Sequence, residues 1–289
     1  LAERYLLNLS SLTVGIVGGG NTGSRLSEKL TALGIKHKIC DPLLAERKEL
    51  ANRTTEVDSR DYVSLDEVLA CDVISLHVPK IEGGEHPTYK LLNSDNLKKL
   101  REDQILISAC RGDVIDNHAL LALKESGHGL KVVLDVWQGE PEVLEALIPY
   151  TEIATAHIAG YSYDGKVKGT EMVYQAFCRH LGQDASIGLN DVIDHELDVT
   201  IDPVVLEREG KVTARSMVEA VYSVMVDDIG LRSTLKQPRE KRTAAFDQLR
   251  KHYRLRREFS TISVRNKEWL ANNMSKQEFS RLLALGFCV

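Results

Sequence analysis

Thr13-Val14-Gly15-Ile16-Val17-Gly18-Gly19-Gly20-Asn21-Thr22-Gly23 is the stretch whose reading decides the fold. Its first half is apolar and largely β-branched, the composition of a strand buried in a parallel sheet. Its second half is a Gly18-x-Gly20-x-x-Gly23 turn. Glycine-rich turns are common, so the motif takes its weight from its surroundings. Ser24 to Leu33 carries leucines at helical spacing and stops at Gly34, a natural C-cap. A second short strand, His37-Lys38-Ile39-Cys40, then ends in Asp41. Its position is close to that expected for an acid that binds a ribose 2′-hydroxyl.

Each residue has a physical job in a dinucleotide site. Gly18 permits the tight turn, Gly20 lets the backbone approach a pyrophosphate, and Gly23 lets the helix pack on the strand. The N–H groups of Asn21 and Thr22, at the helix N-terminus, face the diphosphate charge. Asp41 accepts from the adenosine ribose and repels a 2′-phosphate, so the motif favours NAD over NADP. The plainer alternative is a structural strand–turn–helix without a ligand.

At 289 residues the chain is long enough for two domains with their own cores. A net charge of −5 speaks against nucleic acid as the main partner, and the longest apolar runs are strand-length, which argues against a membrane partner. Five scattered cysteines (Cys40, Cys71, Cys110, Cys178 and Cys288) contain no C-x-x-C pair. They suit a reducing compartment better than a disulfide framework or zinc site, so the expectation is a cytoplasmic protein without a metal. The first residues lack a basic segment followed by an apolar one, as a signal peptide requires. Leu1 to Leu7 reads as the end of a helix and the chain opens without methionine, which together predict sequence upstream.

Outward from the motif, strands and helices alternate. The polar Ala45 to Arg60 reads as a loop or short helix, and Ser64 and Glu67 have capping-box spacing. Strands are expected at 72–77, 104–109, 131–136 and 153–156, with helices at 93–100, 117–126 and 166–181. The predicted fold is α/β, a doubly wound parallel sheet of the Rossmann type over residues 1–160. A connecting helix and a remnant of a substrate domain follow over 161–189. From residue 190 to 289 the texture becomes that of a small α+β module, with strands expected near 197–201 and 259–264 and helices at 213–225 and 243–253.

Arg111, Glu140 and His157 sit just past three successive predicted strands, and strand ends line the ligand crevice of an open parallel sheet. An arginine there can hold a substrate carboxylate through two parallel N–H bonds and polarise a neighbouring carbonyl. A histidine is the natural proton acceptor for an alcohol being oxidised. Glu140 can fix the tautomer of that histidine. Singly, each has a structural alternative: a surface ion-pair partner, a packed imidazole, a helix start. His77 and His118 read as packing or surface residues, and Cys110 as a small buried residue whose backbone contacts the cofactor.

Three runs carry a resemblance: Ser108-Ala109-Cys110-Arg111-Gly112, Leu134-Asp135-Val136-Trp137-Gln138-Gly139-Glu140-Pro141 and Ala156-His157-Ile158-Ala159-Gly160-Tyr161. They are similar to the signatures of the D-2-hydroxyacid dehydrogenases, specifically from Val14 to about Gly182 and more loosely beyond. Cys110, the His157–Tyr161 run, Lys166 to Thr170 and the C-terminal module resemble the branch that acts on 4-phospho-D-erythronate. The resemblance implies oxidation at C2 with NAD as acceptor, giving 3-hydroxy-2-oxo-4-phosphobutanoate, a step of pyridoxal 5′-phosphate biosynthesis. It implies Arg111 and Glu140 as active-site residues and His157 as the proton donor. Cofactor contacts are implied at Asn21, Thr22, Asp41, Val78 (through its backbone), Ala109, Cys110, Asp135 and Gly160, and a substrate contact at Tyr161. Residues 190–289 are implied to form a homodimerisation domain, and family members carry a substrate-binding segment ahead of this chain's start. Two alternatives stay open: the same chemistry on another D-2-hydroxy acid, or a non-catalytic NAD-sensing protein. The basic stretch Arg232 to Arg257 reads as a solvated helix face or dimer-interface charge, not a nucleic-acid patch.

Overall fold

A computed structural model describes residues 1–2, 4–51, 60–193, 198–208 and 211–289. The chain forms two compact units, Leu1–His157 with Val224–Lys251, and Ile158–Ser223 with His252–Val289. This division differs from the expected 1–160, 161–189 and 190–289, because residues 224–251 pack with the first unit.

In the first unit the chain runs β1 (Thr13–Val17), α1 (Asn21–Ala32), β2 (Lys36–Cys40), α2 (Pro42–Ala51), α3 (Leu65–Leu69) and β3 (Val73–Leu76). It continues through α4 (Ser94–Leu97), β4 (Ile105–Ser108), α5 (Asn117–Glu125), β5 (Lys131–Leu134) and β6 (Ile153–Ala154). The six strands pair in parallel in the order β2-β1-β3-β4-β5-β6. The order reverses between β1 and β3, and that switch point is where an open α/β sheet leaves a crevice beyond its strand ends. The side chains of Ile16, Ile74, Leu76, Leu106, Val132 and Leu134 are almost wholly buried, which explains their near-continuous apolar runs. Ser64 caps α3 with the expected capping box, Glu67 returning the hydrogen bond. The polar stretch after Asp41 is helical as far as Ala51, and the rest of it, 52–59, lies outside the described residues. Ahead of β1, where a helix end is expected, residues 4–6 form a turn, with Tyr5 N–H donating to the Leu1 carbonyl.

The second unit holds α6 (Tyr163–His180), α7 (Leu189–Val192), β7 (Thr200–Ile201) and α8 (Ala214–Val221). The chain then returns to the first unit for α9 (Val224–Thr234) and α10 (Arg239–Lys251). It ends in the second with β8 (Ser263–Val264), α11 (Lys267–Asn273) and α12 (Lys276–Leu285). β7 and β8 form a small parallel ladder around a separate core of Met217, Ile262, Leu270, Leu282 and Phe287. The helix expected over 213–225 stops at Val221, because Tyr222 is extended at φ −150°, and α9 is a new helix. Of the expected strand 259–264, the first part is a 3₁₀ turn (Phe259–Thr261). Of the one expected at 197–201, only Thr200–Ile201 is a strand, and residue 197 lies outside the described residues.

α9 seals the open edge of the large sheet. The outward-facing N–H of Ala154, on edge strand β6, donates to Asp228 Oδ1 at 2.7 Å. Arg232, one turn along α9, donates to both Asp228 oxygens at 3.0 and 2.9 Å and to the carbonyls of Ile148 and Thr151 at 2.9 and 2.8 Å. Asp228 is 4% exposed, so its loss strands a buried N–H and a guanidinium together. Asp228→Ala is expected to destabilise the first unit by about 1–3 kcal/mol, read from denaturant unfolding of the full chain.

Candidate active site

The glycine turn is built as a close approach. Gly18 has φ +95°, and a Cβ on Gly23 would run into the Gly18 carbonyl oxygen, so only glycine lets α1 start this near the end of β1. Gly20 is the N-cap of α1 and brings no capping side chain; a Cβ placed on it would meet nothing within 4 Å. Open space therefore lies over the backbone beside the first-turn residues Asn21 and Thr22. Arg60 pins the turn by donating to the Gly19 carbonyl at 2.8 Å and to Ser24 Oγ at 2.5 Å.

Asp41 follows β2. Its Oδ2 accepts from Gly19 N–H at 2.9 Å and its Oδ1 from Leu44 N–H at 3.0 Å, which fixes the carboxylate beside the turn. It lines a cavity of about 560 Å³ together with Gly18, Leu43, Tyr62, Val78 and Ile81. Cys40 lines it too, and its thiol is pushed up to about 11 by burial, with the Asp41 and Glu67 charges adding, so it stays a neutral wall group. The slot thus offers largely apolar walls, a fixed carboxylate and, beside it, an uncapped helix N-terminus.

The chemistry-bearing side chains leave the sheet at the same edge. Ser108, Leu134 and Ala154 are in register across β4, β5 and β6. Arg111 stands three residues beyond Ser108, and His157 three residues beyond Ala154. His157 has φ +54°, a left-handed backbone unusual for a side chain with a Cβ. Its N–H is held to the Asp135 carbonyl at 2.7 Å. Its Nδ1 lies 2.6 Å from Glu140 Oε2. A carboxylate only accepts, so Nδ1 carries the hydrogen and Nε2 is the nitrogen left for chemistry. Glu140 is itself fixed, since its Oε1 accepts from the Trp137 N–H at 2.6 Å. The His157 side chain is 30% exposed and that of Glu140 16%, so the imidazole reaches solvent from a sheltered brace.

Behind this pair, Asp135 Oδ1 accepts from Thr155 Oγ1 at 2.6 Å, and the indole N–H of Trp137 donates to the Thr155 carbonyl at 2.9 Å. The two loops that carry Arg111 and Glu140 meet at Gly112, where a Cβ would collide with the Trp137 carbonyl. Arg111 is exposed and donates to the Cys110 carbonyl at 2.7 Å. Ala109 is exposed and Cys110 buried, with Sγ 3.6 Å from Ser108 Oγ. His77 is a packing residue: Nε2 meets Ser75 Oγ at 2.9 Å and burial lowers its pKa; His118 is exposed on α5.

Gly160 and Tyr161 lie three and four residues beyond His157 in the chain and belong to the second unit. There Arg256 donates to the carbonyls of Ile158 and Ala159 at 2.9 and 2.7 Å, and Tyr161 packs edge-on against Tyr253 with Lys166 over its ring at 4.2 Å. Sequence reasoning passed over Arg60, Asn117 (whose Oδ1 accepts from Gln138 N–H at 3.0 Å), Thr155, Asp228 and Arg256, all of which brace the segments carrying the candidate residues. Only the Asp228–Arg232 spacing, four residues apart on a helix, carried a local signal.

Residues 2–159 match the family described as D-isomer specific 2-hydroxyacid dehydrogenase, NAD binding domain, and the chain belongs to that family. It is similar to the erythronate-4-phosphate dehydrogenase of Colwellia psychrerythraea, with 61% identity over 91% of this chain and 65% of that protein. The enzyme of the same name from Pseudoalteromonas atlantica is 43% identical over 99% of this chain and 71% of its own length. The chain thus spans about two-thirds of the length of these curated relatives. Residues 204–286 match a domain of unknown function, DUF3410. A solved D-isomer specific 2-hydroxyacid dehydrogenase from Lactobacillus delbrueckii ssp. bulgaricus, in its NAD-complexed form, shares the fold at 22% identity, with a TM-score of 0.50 over 64% of this chain and 57% of that one. NAD is the cofactor of the first unit, as its family defines. Among the described residues, no helix is long and apolar enough to cross a membrane.

Proposed function

We propose that the protein oxidises 4-phospho-D-erythronate at C2 to (R)-3-hydroxy-2-oxo-4-phosphobutanoate with NAD, in pyridoxal 5′-phosphate biosynthesis. The observation that carries this reading is the 2.6 Å brace between Glu140 and His157 at the same sheet edge as Arg111, in a chain so similar to relatives bearing that enzyme's name. NAD, when bound, supplies the hydride acceptor. His157 Nε2 takes the hydroxyl proton as the alcohol is oxidised, and Glu140 stabilises the imidazolium that results. Arg111 swings from its contact with the Cys110 carbonyl to hold the substrate carboxylate and polarise the C2 oxygen. Gly18, Gly20, Asn21, Thr22 and Gly23 cradle the diphosphate, and Asp41 takes the ribose. Val78, Ala109, Cys110, Asp135 and Gly160 complete the cofactor contacts, and Tyr161 adds one to substrate. The C-terminal residues support a homodimer, and the protein works in the cytoplasm.

NADH formation from 4-phospho-D-erythronate, assayed with this chain and with the complete reading frame, tests the proposal. Turnover in either supports it. Silence in both while NAD still binds overturns the substrate and returns weight to another hydroxy acid or to a sensor.

A further inference from the structure

The cavity beside Asp41 is walled on one side by α2 and on the other by the loop that follows β3. That loop is tied off at its base. Thr88 Oγ1 donates to the Pro79 carbonyl at 2.5 Å and accepts from Ile81 N–H at 2.8 Å, while the N–H groups of Thr88 and Tyr89 both reach the Ile81 carbonyl at 2.9 Å. The residues between, 82–87, form an excursion hinged on Gly83 and Gly84, the latter at φ +85°. At its tip, His86 Nε2 meets Glu46 Oε1, on α2, at 2.8 Å. Glu85 and His86 also line the cavity.

We propose that His86 and Glu46 are positioning residues for the cofactor, a clasp that holds the loop against α2 and sets how long NAD stays bound. This rests on the reading of the cavity as the adenosine pocket. The base of the loop is held by backbone and hydroxyl bonds that no change at residue 86 disturbs, so the tip can release without the loop unravelling. The clasp lies on the nucleotide side of the sheet, by chain position away from Arg111, Glu140 and His157. Its loss therefore changes cofactor residence and leaves the proton-transfer step alone. Exit of the reduced cofactor is often the slow step in well-evolved enzymes, which makes such a contact matter to turnover.

The test is stopped-flow displacement of bound NADH from the full chain, for the parent, H86A, E46Q and the swapped pair E46K/H86E. The single changes are expected to raise the dissociation rate about two- to fivefold, the size of one partly exposed polar contact. The swap is expected to restore the parent rate, a rescue that a merely structural role would not give. Equal rates in all four proteins overturn the clasp. Failure of the parent itself to bind NADH overturns the cavity assignment instead, so the two failures are distinguishable. Thermal unfolding midpoints are expected to stay together across the set; a drop in H86A or E46Q that accompanies faster release without rescue by the swap also overturns the proposal.

Discussion

Replacing His157 by Asn is expected to lower kcat for the proposed oxidation by about 10²- to 10⁴-fold, the range for losing a positioned general base. NADH affinity, followed by nucleotide fluorescence, should change little, because the cavity beside Asp41 is built from other elements. Glu140→Gln is the companion. Its amide still accepts from one side and reaches the imidazole, but it no longer supplies the charge that stabilises the protonated ring. A smaller loss of kcat is expected, because the imidazolium that forms as the alcohol loses its proton no longer has a negative charge beside it. An unchanged kcat in His157→Asn would remove the imidazole from the mechanism altogether.

The second large effect concerns folding of the second unit. Asp164 and Arg257 bury their side chains to 6% and 2% exposure. Arg257 Nε donates to both carboxylate oxygens, at 3.0 and 3.1 Å, and Glu258 N–H and Thr261 Oγ1 add bonds of 2.7 and 3.0 Å. Arg257 also pairs with Asp198 at 3.0 Å. Burial alone would raise the Asp164 pKa, but the bonds from Arg257, Glu258 and Thr261 outweigh it and hold the carboxyl below its usual value of 3.8. A depressed folded-state pKa contributes stability that is present above the unfolded value and is lost as pH falls through the folded one. The second unit should therefore weaken on acidification from about pH 4 downward. Asp164→Ala is expected to cost about 3–5 kcal/mol, since it leaves a guanidinium buried beside a missing partner.

The two tryptophans separate the units. Trp137 belongs to the first and Trp269 to the second. With Trp137→Phe or Trp269→Phe as background, fluorescence during urea unfolding reports one unit at a time. The Asp164→Ala loss should fall on the Trp269 signal. A loss confined to the Trp137 signal would contradict the assignment of this pair to the second core.

What the sequence disclosed was local. β1, the glycine turn, α1 and Asp41 are contiguous, and each element's composition and breakers state its type within a few residues. The strand ends bearing Arg111, Glu140 and His157 were legible for the same reason, because a parallel sheet puts successive strand ends on one edge. What stayed hidden was long-range. The basic run from Arg232 to Arg257 reads as an exposed face, yet Arg242 pairs with Glu145, and Arg257 with Asp164 and Asp198. Arg242 and Glu145 lie 97 residues apart, and Arg257 and Asp164 lie 93 apart, so no window of sequence contains both partners. The His86–Glu46 contact is hidden in the same way: a histidine in a glycine-rich loop and a glutamate in a polar helix give no sign of each other.

The return of residues 224–251 to the first unit has a consequence for synthesis. A ribosome delivers all six strands by residue 154, yet the outer N–H of Ala154 has only water to bond until its partner Asp228 is made, about seventy codons later. During that interval the nascent sheet presents an open edge just ahead of His157. Arg257 likewise emerges long after Asp164. Neither unit is finished until its late partners are made: Asp228 for β6, and Arg257 for the Asp164 carboxylate.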